Sequence, residues 1–156
     1  LAELARDYTG EGRRARISRN RAAGERSERK SAHSDGVGAS GDILFASGVT
    51  PRDDSGDRVG VGDMAAQIDR TLANLEDVLR AAGAGFADVV KLTVFVTDID
   101  VYRDARSRVA PIQSAMSSGP AWTLVEVSHL ADPDMMVGIA AVALISCELQ
   151  NIQPGK

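Results

Sequence analysis

With 156 residues, 44% hydrophobic and 26% charged residues, and a formal net charge of −4, the chain has the make-up of one globular domain able to bury a core. It holds no apolar run of the about eighteen residues a membrane span needs, and its opening LAELARDYTGEGRRAR lacks the apolar segment of a secretory signal, so no membrane partner is expected. A single cysteine, Cys147, excludes an intrachain disulfide; its place near the end of an apolar run suits a small buried hydrophobe, and a cytoplasmic protein is expected.

Residues 1–31 carry nine Arg and Lys against five Asp and Glu, a balance of +4, which leaves nine basic and seventeen acidic residues, or −8, for the rest. A basic arm could touch nucleic acid. This one is poor in large apolar side chains, so it reads as a solvated, partly disordered segment, and the acidic body argues against a nucleic-acid partner. A first strand is expected near ARISRN. The pattern sharpens at DILFASGV, a strand with Ile43, Leu44 and Phe45 as apolar bulk that ends at Ser47-Gly48, where glycine allows a turn or a close backbone approach. TPRDDSGDRVGVGD is loop. Asp63 is placed to cap a helix over MAAQIDRTLANLEDVLRAAG that ends at Gly83, with Met64, Ile68, Leu72, Leu75, Leu79 and Ala82 on one face. VVKLTVFVTD is a strand rich in β-branched residues. Tyr102, Ala105, Val109, Ile112 and Met116 then mark a second helix, which Pro111 kinks or ends. WTLVEVS and MMVGIAAVALISC are the last strands, joined by the turn HLADPD.

The expected domain is residues 32–150, followed by a short tail at 151–156. Its order, β–loop–α–β–α–β–β, predicts an α+β sheet with two helices on one face. VGIAAVALI has no polar residue on either face, so the face without helices needs cover, and self-association supplies it.

ILFASG, the stretch MAAQIDRTLANLEDVLRAAGAGFADVVKLTVFVTDI and GPAWTLVEVSHL…MMVGIAAVAL together resemble the RidA/YjgF reactive-intermediate deaminases, over about residues 33–145. The resemblance implies a chorismate-mutase-like fold assembled as a homotrimer, its sheets forming a central barrel with a cleft between each pair of neighbouring subunits. In the best-known branch those clefts hydrolyse enamines and imines such as 2-aminoacrylate to 2-oxo acids and ammonia, with no metal or organic cofactor. An arginine holds the substrate carboxylate, a glutamate handles the attacking water, and the backbone after the SG turn, a tyrosine and an asparagine complete the pocket.

Carried over residue by residue, much of that apparatus is replaced. Trp122 stands directly after GPA in the place of the arginine, and Leu124 in that of a small thiol or hydroxyl. Gly138 stands in the place of the glutamate and Ala140 in that of a neighbouring acid. Arg106 takes the asparagine position, and Ser34, or His33 if the loop shifts by one, the tyrosine position. Ser47, Gly48, Pro120, Ala121 and Glu126 remain. The catalytic candidates are therefore Glu126, Arg106 and His33, and the substrate-binding candidates are Trp122, Leu124, Ser34, Ser47, Gly48, Gly138 and Ala121. Each has a plainer reading. Trp122 could be core, Arg106 a solvated helix residue, and Glu126 an outward strand residue or a subunit contact. The expectation is an apolar cleft for a small neutral or hydrophobic metabolite. The alternatives are weak imine deamination with Arg106 as substitute anion holder, or a non-catalytic binding or assembly module. No metal-ligand spacing, nucleophile elbow or phosphate-binding loop is present, and there is no aromatic platform for RNA bases.

Overall fold

A computed structural model describes residues 16–20, 36–105, 107 and 119–145. Two short strands come first, β1 (Arg16–Asn20) and β2 (Gly36–Ser40), paired antiparallel in a sheet of their own. β1 lies where the sequence places a first strand. β2 is unanticipated, because GVGAS has one large apolar residue in five and no alternation to read.

Helix α1 (Met64–Ala81) follows its sequence signals closely. Asp63 is extended, and its Oδ1 accepts the Ala66 N–H at 3.1 Å, satisfying one of the helix's free donors. At the other end Gly83 adopts φ +74, a conformation disfavoured for residues with a Cβ. The Ala82 and Ala84 N–H groups close there on the Leu79 carbonyl at 3.1 and 2.9 Å. The buried face holds Met64, Ile68, Leu72, Leu75 and Leu79 as the spacing predicts, and also Gln67 and Thr71.

The main sheet has four strands in the order β3-β6-β4-β5: β3 (Asp42–Val49), β4 (Val89–Val96), β5 (Ala121–Glu126) and β6 (Val137–Ile145). β6 runs antiparallel to both neighbours, whereas β4 and β5 are parallel, which requires a crossover between them. That crossover includes α2 (Ile99–Ala105), on which Tyr102 is buried and Ala105 packs against the core. Val109, Pro111, Ile112, Met116 and Cys147 lie outside the described residues.

Alternation divides each strand between two environments. Leu92, Val94 and Val96 of β4 and Val137, Ile139, Ala141 and Ala143 of β6 meet α1 in one core cluster. Among the described residues much of the other face is open: Phe45 is 75% exposed, Ile43 50% and Val125 36%, although Leu144, paired with Ile43, is buried. The two helices therefore lie on one face, as the element order predicts.

Candidate functional site

The register of the sheet decides where each candidate side chain goes. In the parallel β4–β5 pair, Trp122 is opposite Leu92 and Leu124 opposite Val94. Trp122 and Leu124 thus share the helix face, where both are half-buried and pack against the core cluster. Pro120, just before them, is buried. Ala121 opens the strand opposite Lys91.

Glu126 closes β5. Its Oε2 accepts the Ile99 N–H at 2.9 Å, at the first turn of α2, while Asp98 Oδ1 accepts the N–H groups of Asp100 and Val101, both at 2.9 Å. Two carboxylates thus satisfy three free donors at one helix end, which they also stabilise electrostatically. The exposed Glu126 carboxylate ties the end of β5 to α2, a task within a single chain.

Ser47 and Gly48 lie on the opposite edge of the sheet. Between Ala46, paired with Ala141, and Val49, paired with Ile139, β3 runs three residues against two on β6, and the extra residue makes a bulge. Among the described residues the space beside Gly48 is open, with no atom within 4 Å of where a Cβ would stand. Gly138, next to β3 on β6, is buried. A Cβ there would meet the Val49 carbonyl oxygen at 3.7 Å, Leu130 Cδ2 at 3.8 Å and Thr50 Cγ2 at 3.9 Å. Gly138 pairs with Phe95, so it belongs to the face opposite Trp122. Arg106, His33 and Ser34 lie outside the described residues.

One chain therefore gathers Ser47, Gly48 and Gly138 at the β3 side and Ala121, Trp122, Leu124 and Glu126 at the β5 edge. Three strand spacings, about 14 Å, separate the two edges.

The loop after the bulge is held by groups that sequence patterns did not single out. Gln67, fully buried on α1, donates from Nε2 to the Gly60 and Asp134 carbonyls at 3.2 and 2.7 Å, and its Oε1 accepts the Met136 N–H at 2.7 Å. Asn74 Nδ2 donates to the Thr50 and Arg52 carbonyls at 2.9 and 2.8 Å. Arg58 pairs with Asp132 at 2.8 Å and Asp134 at 3.2 Å. The Asp134 N–H donates to Asp132 at 3.0 Å and holds that carboxyl below its ordinary range, against a smaller opposing effect of burial, with Arg58 and then Arg52 adding to the lowering. These contacts fix the turn that carries Leu130, the residue bordering Gly138. The one signal available in the sequence is a glutamine within a helix stripe that is otherwise apolar but for Thr71.

The arrangement is that of a small α+β subunit whose candidate site residues are divided between two edges of one sheet. The chain belongs to the family described as Endoribonuclease L-PSP, whose profile matches residues 25–145, and to the RidA/YjgF superfamily. A RutC family protein of Pyrococcus abyssi is 32% identical over 103 residues, 66% of this chain and 79% of its own. The 2-iminobutanoate/2-iminopropanoate deaminase of Escherichia coli is 31% identical over 105 residues, 67% of this chain and 80% of its own. A 3-aminoacrylate deaminase, RutC of Acinetobacter baylyi, is 34% identical over 101 residues, 65% of this chain and 78% of its own. Among solved structures, a Rid-family protein of unknown function from Yersinia pestis, YyfB, superposes with a TM-score of 0.70 at 29% identity, covering 85% of this chain and all of that one. E. coli TdcF with bound serine superposes with a TM-score of 0.60 at 27% identity, covering 68% of this chain and 83% of that one. No helix among the described residues is long and apolar enough to cross a membrane.

Proposed function

We propose that three copies of this chain close into a ring through their open sheet faces, the β5 edge of one approaching the β3 edge of the next, and that the clefts so formed take a small neutral or hydrophobic metabolite. The observation that carries this reading is the division of the candidate site between opposite sheet edges. A Ser47–Gly48 bulge and a Trp122 about 14 Å apart in one chain come together only when a second copy supplies one of them. With tryptophan and leucine side by side on the β5 edge, and glycine in place of the water-handling glutamate, the cleft offers apolar area and no fixed anion holder. No metal or organic cofactor is assigned to it, and the protein works in the cytoplasm.

A second reading draws on the named relatives, two of which are deaminases of 3-aminoacrylate and of 2-iminobutanoate or 2-iminopropanoate. Here water adds to the imine carbon, the C–N bond breaks, ammonia leaves and a 2-oxo acid remains, with Arg106 holding the substrate carboxylate. A missing general acid or base lowers such a rate by roughly a hundred- to ten-thousandfold, so the activity is weak.

One experiment separates the two. 2-Aminoacrylate and bulkier imines are generated in situ, and ammonia and 2-oxo acid release is followed for wild type, Arg106→Ala and the double variant Trp122→Arg with Gly138→Glu. A silent wild type with measurable turnover in the double variant is the expected result. Wild-type rates well above background would overturn the apolar-cleft reading, and their loss in Arg106→Ala would identify the anion holder. Because Trp122 is the sole tryptophan, its fluorescence reports directly on apolar ligands that enter the cleft.

A further inference from the structure

The open sheet face carries a single charged side chain among the described residues. Lys91 stands on β4 beside a groove of about 170 Å³ that Phe45, Thr93, Ala140 and Val142 also line, and its Nζ donates to Thr123 Oγ1 at 3.2 Å. It makes no ion pair with any described residue. The strand registers place Ile43, Phe45, Ala140, Val142, Thr123 and Val125 on the same face, and none of them is acidic. An ammonium has three N–H donors, and Thr123 takes one.

While the face is open, water satisfies the other two. Covering it changes the balance, because a buried ammonium without a counter-charge is strongly unfavourable. A second copy docking through the same surface brings apolar groups and another Lys91, but no carboxylate among the described residues of that face. Association of identical faces therefore concentrates positive charge and supplies nothing described that neutralises it.

We infer that Lys91, with the hydroxyls of Thr123 and Thr93, forms an anion site that association completes, one that takes a small molecule bearing carboxylate or phosphate oxygens. An apolar body, where the ligand has one, lies along Phe45 and Val142 in the groove. The inference rests on association through the open face and is independent of what the edge clefts bind.

The test uses the full chain, with its oligomeric state followed by sedimentation velocity and its thermal denaturation titrated with inorganic phosphate or with benzoate at constant ionic strength. An oligomer is expected, with a melting temperature that rises by about 5–10 °C at a hundredfold excess of the bound anion over its dissociation constant. A response to phosphate alone identifies a phosphate-type ligand, and a response to benzoate assigns the groove to an apolar carboxylate. Lys91→Met remains an oligomer and loses the response, whereas Lys91→Arg keeps it. An oligomeric wild type indifferent to both anions, or a response that survives in Lys91→Met, overturns the anion site and leaves the association intact. A wild type that stays monomeric at micromolar concentration overturns the association and the site together.

Discussion

Strand β4 separates two environments that its sequence, VVKLTVFV, builds by alternation. On one side Leu92, Val94 and Val96 are buried to 1% exposure or less in the core shared with α1. On the other, Lys91, Thr93 and Phe95 join a face on which Phe45, three quarters exposed, stands over the groove. Both faces are mainly apolar, yet the chain completes only one of them. The helix face specifies the subunit fold. The bare face has the composition of an interior and the accessibility of a surface, a combination that the proposed association would resolve.

Paired truncations on the two faces give the largest expected contrast. Leu75→Ala removes a side chain with no exposure and leaves a cavity among tightly packed neighbours, so the chain loses about 2–5 kcal/mol of stability in denaturant unfolding. Phe45→Ala removes a larger side chain from the open face and changes the stability of an isolated subunit by about 0.5 kcal/mol or less. Its effect is on assembly: dissociation moves to higher protein concentration in sedimentation. A Phe45→Ala protein that assembles as wild type does would show that the exposed face is not the one used for association.

Elements governed by one-dimensional periodicity were legible before the structure. The stepping of Ile68, Leu72, Leu75 and Leu79, the cap at Asp63, the apolar bulk of β3 and the β-branched run of β4 each follow from a local rule, and the structure forms the helix, the cap and both strands there. The candidate site was legible only as a set of residues. Which face Trp122 uses depends on its pairing with Leu92, and its distance from Ser47 depends on β6 and β4 lying between the two edges. Neither strand order nor register is written in any single segment. Gln67 was missed for a related reason. Its partners are main-chain groups from Gly60, Asp134 and Met136, distant in sequence, and a helix stripe cannot show what lies opposite it.

That network gives a smaller prediction, which sharpens the contrast between apolar filling and polar tying on one helix face. Gln67→Met keeps the volume on α1 but leaves the Met136 N–H and the Gly60 and Asp134 carbonyls without their partner. Stability falls by about 1–3 kcal/mol, since stranded polar groups carry their desolvation cost while packing changes little. Amide hydrogen exchange should locate the loss at residues 60–63 and 134–136. A uniform loss of protection over α1 would mean that Gln67 supports the helix and not the loop that follows the Ser47–Gly48 bulge.

The smallest effect concerns the same packed face at alkaline pH. Tyr102 is 5% exposed in the core that α2 helps to close, and burial pushes its hydroxyl from 10.0 up to about 12. The folded chain therefore holds this proton more tightly than the unfolded chain. The resulting stability is fully present below pH 10 and is lost as pH rises toward 12, amounting to about 1 kcal/mol by pH 11. Among the described residues the hydroxyl has no hydrogen-bond partner, so Tyr102→Phe strands no donor or acceptor and leaves stability near pH 7 within about 0.5 kcal/mol of wild type. Denaturant midpoints measured from pH 8 to 11.5 should fall less steeply for the variant. Parallel curves would mean that the phenol reaches solvent, and that the packed face is looser around α2 than around α1.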